Sequence, residues 1–414
     1  MKKTLFFLCI FFLSTGFAFA QRKTIVVGPN EKVKSILEAV ANAAEFDTIR
    51  VKHAVYREGN ISLNKPVVLI GENLPVLDGQ KKYEVISVRS DNVVIKGFKI
   101  ERCGLSSLDD IAGVKIYKRQ HVTVQDNVLE DNFFGIYFQA AKNCIAKNNK
   151  ITAYGKGEQE IGNGVHAWKC DSLQIIANTI TGHRDGIYLE FVTHSLMWRN
   201  ISVKNIRYGL HFMFSNNDTY ITNIFDNNGS GVAVMYSHHV KMFNNYFQNN
   251  WGEAAYGLLL KEITDSHIEG NHFNNNTSGI DMDGASRIEV LKNVFSANGW
   301  AMQIQANCMD VSVQRNNFLG NTFDVGTNGT LVLNSFKYNY WDKYEGYDLN
   351  RDKIGDIPYR PVSMFSMIVV QNPTTMVLFR SFMVTLLDKT EKILPSLTPE
   401  NLKDEFPLMK QLPL

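Results

Sequence analysis

The stretch GLHFMFSNNDTYITNIFDNNGSGVAVMYS (Gly209–Ser237) decides the fold. Gly209 opens a short alternation with apolar Leu210 and Phe212. Asn223 stands fourteen residues after that glycine and Phe225 two further on, and at Gly231 the pattern starts again. Outward from this stretch, the same Gly-aliphatic-x-apolar start recurs at Gly113, Gly135, Gly164, Gly186, Gly257 and Gly279, with Ala301 in the ninth place. The steps are 22, 29, 22, 23, 22, 26, 22 and 22 residues. Asparagine stands fourteen residues after each glycine, at Asn127, Asn149, Asn178, Asn200, Asn223, Asn245, Asn271 and Asn293, and Phe225, Phe247, Phe273 and Phe295 follow in consecutive repeats. A period near 22 built of short period-2 strands and Gly/Asn turns is one rung of a parallel β-solenoid. Helical repeats run longer and lack the alternation. Stacked rungs bring like residues ~4.8 Å apart, so the asparagines are expected to hydrogen-bond in a ladder and the phenylalanines to stack.

The class is therefore all-β, a parallel β-helix over residues 21–339, with covered ends because an open rung is an unpaired edge. Lys32–Ala44, with Val33, Ile36, Leu37, Val40 and Ala44 at helical spacing, predicts an N-terminal capping helix. Strands follow at Asp47–Lys52, Pro66–Ile70, Val85–Val88 and Asn92–Ile100. Residues 340–414 read as a C-terminal extension punctuated by seven prolines, from Pro358 to Pro413. Within it Thr374–Leu394 predicts one amphipathic helix of ~30 Å, too charged to span a membrane, for packing on the solenoid or docking to a membrane partner.

Residues 1–20 read as an export signal: Lys2 and Lys3, an apolar Leu5–Leu13, and a small-x-small site at Ala18-Phe19-Ala20. The apolar run is too short for a spanning helix. The expected address is outside the cytoplasm, away from ATP. The 414 residues carry 43 Lys+Arg against 41 Asp+Glu, and without Lys2 and Lys3 the two counts are equal. Such neutrality argues against nucleic acid or anionic lipid as a partner. Cys103, Cys144, Cys170 and Cys308 are scattered without metal-ligand spacing and read as isolated thiols or one disulfide.

Alternation sends the first and third residues after each glycine inward and the second and fourth outward. The outward second position reads Lys115, Tyr137, His166, Tyr188, His211, Ala233, Leu259, Asp281, Gln303. The fourth reads Tyr117, Gln139, Trp168, Glu190, Met213, Met235, Lys261, Asp283, Gln305. A strip of Trp, Tyr, His and Met is not an ordinary solvated face, and His166, Trp168, Tyr188 and Glu190 mark it as a partner-binding surface. Insertions at Ala153–Asn163 and Trp251–Ala255 precede strands of this face and are placed to wall a groove.

Three constellations on this framework carry chemistry. Met213 and Met235 share the fourth position of adjacent rungs, with His211 on one strand and His238-His239 ending the other. Thioether with imidazole is a soft ligand set suited to Cu(I), the alternative being methionines that only pack. Asp348, Asn350, Asp352 and Asp356 alternate as in the first part of a calcium loop, but Tyr359 stands where the closing Glu belongs, so Ca²⁺ and a metal-free Asx turn both remain open. Asp281 and Asp283, two apart on one strand, are spaced like the carboxylate pairs of acid/base chemistry but lack a third partner and read as a solvated acidic patch.

RYGLHFMFSNN (Arg207–Asn217), GVAVMYS (Gly231–Ser237), NYWDKYEGYDLNRDKIGDIPYRP (Asn339–Pro361) and LTPENLKDEFPLM (Leu397–Met409) together resemble the NosD family, periplasmic maturation factors of nitrous oxide reductase. The resemblance implies a right-handed β-helix, a periplasmic address, and attachment to an ABC transporter with a membrane permease and a cytosolic ATPase. It also implies assembly of the reductase's copper–sulfur site with Cu(I) received from a lipoprotein chaperone, and no enzymatic activity. It supplies no ligand motif, so the candidate copper residues rest on spacing alone. A carbohydrate-active β-helix enzyme (lyase, epimerase or hydrolase) is the alternative, and it requires several carboxylates with Lys or Arg on one strip.

Overall fold

The computed structural model describes residues 22–106, 109–155, 157–329, 331, 333–393 and 402–414; the expected export signal lies outside them. Each rung contributes three short strands, and rung stacking builds three parallel sheets of 14, 12 and 13 strands. The result is a right-handed β-solenoid of about 14 turns. The repeat begins earlier than its glycine signature: Thr24–Val27 already pairs in parallel with Thr48–Val51. The helix of the N-terminal cap is shorter than its apolar pattern, Ile36–Asn42, with Ser35 as N-cap. Glu58 holds its start, accepting from Ile36 N at 3.0 Å and from Leu37 N at 3.0 Å, as a carboxylate at a helix N-terminus should.

The expected single strand Asn92–Ile100 is two, Val94–Lys96 and Lys99–Glu101. Between them Gly97 takes φ +79, and a Cβ there would sit 2.7 Å from the Gly71 carbonyl oxygen, so the corner cannot be continuous strand. The repeated glycine at the strand start has a different reason. Rungs approach so closely there that a Cβ on Gly231 would lie 2.3 Å from the oxygen of Gly257.

The expected asparagine ladder is present and longer than the glycine repeat. From Asn149 to Asn339, each amide oxygen accepts both the backbone N–H and the side-chain N–H of the asparagine one rung earlier, starting with Asn127; Asn223 N and Nδ2, for example, reach Asn245 Oδ1 at 2.9 and 3.0 Å. Each Nδ2 also donates to a backbone carbonyl, as Asn223 does to Met197 at 2.9 Å, so the buried amides are satisfied. A second ladder runs five residues further on, through Asn205, Asn228, Asn250, Asn276, Asn298 and Asn321. Its signature, Asn-x4-Asn, is in the sequence. Beside the ladders Phe225, Phe247, Phe273, Phe295 and Phe318 stack and end on Trp341, 4.0 Å from Phe318.

The chain's closing segment terminates the first ladder. Asp404 Oδ2 accepts from Asn339 N (3.0 Å), Asn339 Nδ2 (2.9 Å) and Trp341 Nε1 (3.1 Å). An acceptor-only side chain suits this place: it takes the last donors and presents none that would need a further rung. Between strand Tyr340–Trp341 and this cap lie helices. The single helix expected over Thr374–Leu394 is broken into a 3₁₀ turn, Pro373–Leu378, and an α-helix, Phe382–Ile393; Arg380, at φ +64, interrupts them. A further helix, Met364–Gln371, precedes them and was not legible. Phe365, Val369 and Val384 pack with Phe323 and Trp300 of the last rungs.

Candidate metal-binding face

The site is built on the 12-stranded sheet, whose inward residues fill the core, for instance Leu210, Phe212, Val232 and Val234. The outward second position is nevertheless largely covered: Lys115, Tyr137, His211, Ala233 and Asp281 are all buried. The residues just before the repeat glycines lean over it, with the Phe134 ring 4.9 Å from His166 and Tyr208 4.8 Å from His211. The second-position row is thus the floor of a trough. Trp168, Glu190, Met213, Met235, Lys261 and Asp283 form its half-buried lip.

Met213 and Met235 lie directly opposite each other on neighbouring parallel strands, in register. The Tyr188 hydroxyl donates to Met213 Sδ at 3.6 Å. His211, two residues before Met213, is 4% exposed, and neither ring nitrogen has a hydrogen-bond partner. The nearest charge is the fully buried Asp185 carboxylate, Oδ2 to His211 Nδ1 3.7 Å, flanked by Arg184 and Arg207 with Nε at 3.9 and 3.8 Å. Among the described residues, eight buried side-chain N or O atoms lack a partner, and six gather at this corner: Asn163 Oδ1, His183 Nε2, Arg184 Nε, Asp185 Oδ2 and both nitrogens of His211. Such concentration is unusual, since buried polar groups are nearly always paired. Sequence reasoning missed Asp185 and its neighbours. Their signal is the GHRD run Gly182–Asp185, where His183 replaces the asparagine of the second ladder while still donating its N–H to Asn205 Oδ1 at 3.1 Å.

The other candidates fall as follows. His166 stacks on Tyr188 with centroids 5.0 Å apart, and burial pushes its pKa down to about 3, so the ring is neutral. Trp168 and Glu190 are neighbours in register on the lip. His238 and His239 stand beyond the strand on an exposed corner, where their Nδ1 atoms lie 2.7 Å apart; no contact among the described residues brings them to Met235 or His211. The four cysteines are free and buried. Burial pushes Cys103 and Cys170 up to about 12, which makes them poor thiolate ligands. Cys170 accepts Ala141 N–H as Ser215 accepts that of Val192, so this thiol replaces a corner serine.

In the loop at 348–356 the oxygens accept backbone N–H groups: Asp348 from Lys353 (2.9 Å), Asn350 from Asp352 (3.0 Å), Asp352 from Ile354 (2.8 Å) and Asp356 from Leu349 (2.7 Å). The Asn350 and Asp352 bonds are Asx turns, and those of Asp348 and Asp356 reach across the loop. The Asp281/Asp283 pair requires a correction. Asp283 is on the lip and bonded to Asn307 Nδ2 at 2.8 Å, whereas Asp281 is 9% exposed; burial, then Asp283, pushes its pKa up to about 7. It is not a solvated patch, because Asp281 lies on the trough floor with most of its surface covered.

With this geometry in place, the likenesses to known proteins fall into two groups. A family model described as "Periplasmic copper-binding protein (NosD)" matches residues 152–346, and one for a right-handed β-helix region matches residues 17–160. "Probable ABC transporter binding protein NosD" of Stutzerimonas stutzeri is 24% identical over 375 residues, 85% of each chain. The protein of that name from Pseudomonas aeruginosa is 24% identical over 373 residues, 85% of this chain and 86% of its own. Among solved structures, the A-module of Azotobacter vinelandii mannuronan C-5 epimerase AlgE4 superposes with TM-score 0.53 at 15% identity, covering 73% of this chain and 88% of that one. The catalytic unit of an α-1,3-glucanase of Streptomyces thermodiastaticus does so with TM-score 0.58 at 12% identity, covering 74% and 65%. The solved structures share the solenoid fold alone. The family model spans Asp185 and the strands that carry His211, Met213 and Met235, and the relatives extend the likeness to NosD proteins over most of the chain.

Proposed function

We propose that this chain is a non-enzymatic copper-handling assembly factor of the periplasm. In this reading it receives Cu(I) from a lipoprotein chaperone and passes it towards the copper–sulfur site of nitrous oxide reductase. It works in complex with the permease and ATPase of an ABC transporter. The observation that carries this reading is the in-register pair Met213/Met235 beside His211, a buried imidazole with both nitrogens unpartnered. Two thioethers and an imidazole are neutral and soft, which fits Cu(I) and not Mg²⁺ or Ca²⁺. Neutral ligands leave the ion cationic and add no charge attraction, as suits cargo that must be released. Rigid strands fix the sulfurs in advance, so little ordering is lost on binding.

The family description and the relatives' names support copper and a transporter partner. The C-terminal helices support docking: Val377 is 86% and Phe382 82% exposed, with Met383 and Leu386 beside them, while no helix among the described residues is long and apolar enough to cross a membrane. The test is copper loading of the reductase with Met213→Leu/Met235→Leu. The exchange nearly preserves volume and costs less than ~1.5 kcal/mol if the methionines only pack. The variant is expected to fold and to fail in loading; wild-type loading returns these methionines to packing.

A further inference from the structure

Two rungs beyond Met235, the same trough widens into a groove of about 780 Å³, a volume suited to a small-molecule ligand. Its floor is Asp281, flanked in register by Leu259 and Gln303. Its walls include Glu253 and Ala255 of the insertion that precedes the Tyr256–Lys261 strand, and Asn307 and Asn328 on the opposite side. Three observations describe what such a groove holds.

The first concerns Asp281 itself. Its carboxyl lines the groove, is nine-tenths buried, and takes part in no hydrogen bond, although a buried carboxyl ordinarily has a partner. Leu259 on one side offers none. The second concerns charge. Asp283 is answered by Asn307 Nδ2 at 2.8 Å and by Lys261 Nζ at 3.9 Å, so the lip is internally paired. Asp281 titrates near neutrality because of its burial, so an ionic ligand has no fixed counter-charge on the floor. The third concerns the remaining lining. Gln303 and Gln305 each offer an amide donor and an amide acceptor, Asn328 adds its amide donor while its oxygen holds Ala306 N, and the half-buried Tyr256 supplies a ring.

We infer that this groove binds a neutral, polyhydroxylated ligand, an oligosaccharide segment, with Asp281 as its central hydrogen-bonding group. Hydroxyl groups are donors and acceptors at once, which is what a row of amides and one unpartnered carboxyl can satisfy without net charge. A metal ion is disfavoured because Asp283 is committed to Asn307 and Lys261, and Glu253, the other carboxylate of the lining, stands exposed on the insertion wall. The inference is independent of the copper reading, whose residues lie on other rungs.

The test is calorimetric titration of the full mature chain with chitohexaose and cellohexaose as neutral probes and hexagalacturonate as the anionic one. Binding of at least one neutral probe, none of hexagalacturonate, and a loss of about tenfold or more in Asp281→Leu and in Gln303→Ala are expected, the size following from a hydrogen bond to a buried acid or amide. Leucine is already the residue in register on the neighbouring rung, and Gln303 is only half-buried, so at least one variant keeps its fold. Met213→Leu/Met235→Leu binds the neutral probe like wild type. Absence of binding by both neutral probes, tighter binding of hexagalacturonate, or unchanged affinity in both groove variants overturns the inference.

Discussion

Two parts of one rung treat buried polar groups in opposite ways. At the asparagine corner, Asn223 and its stack-mates spend every amide on one another and on backbone carbonyls. Across the rung, on the trough floor, His211 and Asp185 are buried just as deeply and keep unpartnered atoms. A repeat that satisfies itself is scaffold. A place where the repeat breaks and leaves its polar atoms unpaired is where an external partner has something to bind.

The comparison is broken most severely by removing a ladder rung. Asn245 accepts two N–H groups of Asn223 and donates to Asn271 and to the Tyr220 carbonyl. Asn245→Ala leaves these buried groups unpaired at roughly 1–3 kcal/mol each, so a loss of about 3 kcal/mol or more is expected in denaturant unfolding. His211→Phe removes a ring that has no hydrogen bond to lose and is expected within about 1 kcal/mol of wild type. Equal losses for the two would erase the distinction between scaffold and site.

A smaller effect sharpens it through pH. Asp218 is fully buried with one oxygen unpartnered, and burial pushes its pKa up to about 8. The folded state therefore holds a proton that the unfolded chain has released above its ordinary pKa near 4. Stability must fall as pH rises from about 4 to about 8, by ~1.4 kcal/mol per pH unit within that window at most. Ser195 and Ser266 occupy the same row and accept the corresponding backbone N–H groups. Asp218→Ser should thus melt above wild type at pH 9 and lose that advantage by pH 5. A constant difference across this range would show that Asp218 does not titrate in the fold.

The smallest effect belongs to the loop at 348–356. If Ca²⁺ uses the lone pairs left by its Asx turns, adding the ion should raise the melting temperature by a degree or two, and Asp352→Ala should abolish the rise. Identical melting with calcium and with chelator leaves the turns as the whole structure of that loop.

The repeat, the first ladder, the phenylalanine stack and the outward strip were legible because rung stacking turns sequence period directly into contact. The second ladder was equally written, as Asn-x4-Asn, and overlooked. Asp404 was not legible: nothing local tells an acidic residue 65 positions beyond Asn339 that it will cap it. The break at Arg380 was hidden for the same reason, since the apolar pattern continues across a residue whose φ is +64. Alternation correctly sent Asp281 and His211 outward, but it carries no information on the neighbouring row that leans over them, so their burial emerged only in three dimensions.

In the proposed site, Cu(I) is held between two neighbouring rungs by Met213 and Met235 with His211. Copper K-edge absorption of the purified Cu(I)-loaded protein tests it most directly. Sulfur scattering from two thioethers with one nitrogen is predicted for wild type. Met213→Leu/Met235→Leu should lose the sulfur shell together with tight binding in a competition titration, and His211→Phe should lose the nitrogen alone. A spectrum without sulfur neighbours, or one unchanged in the double leucine variant, would contradict the assignment.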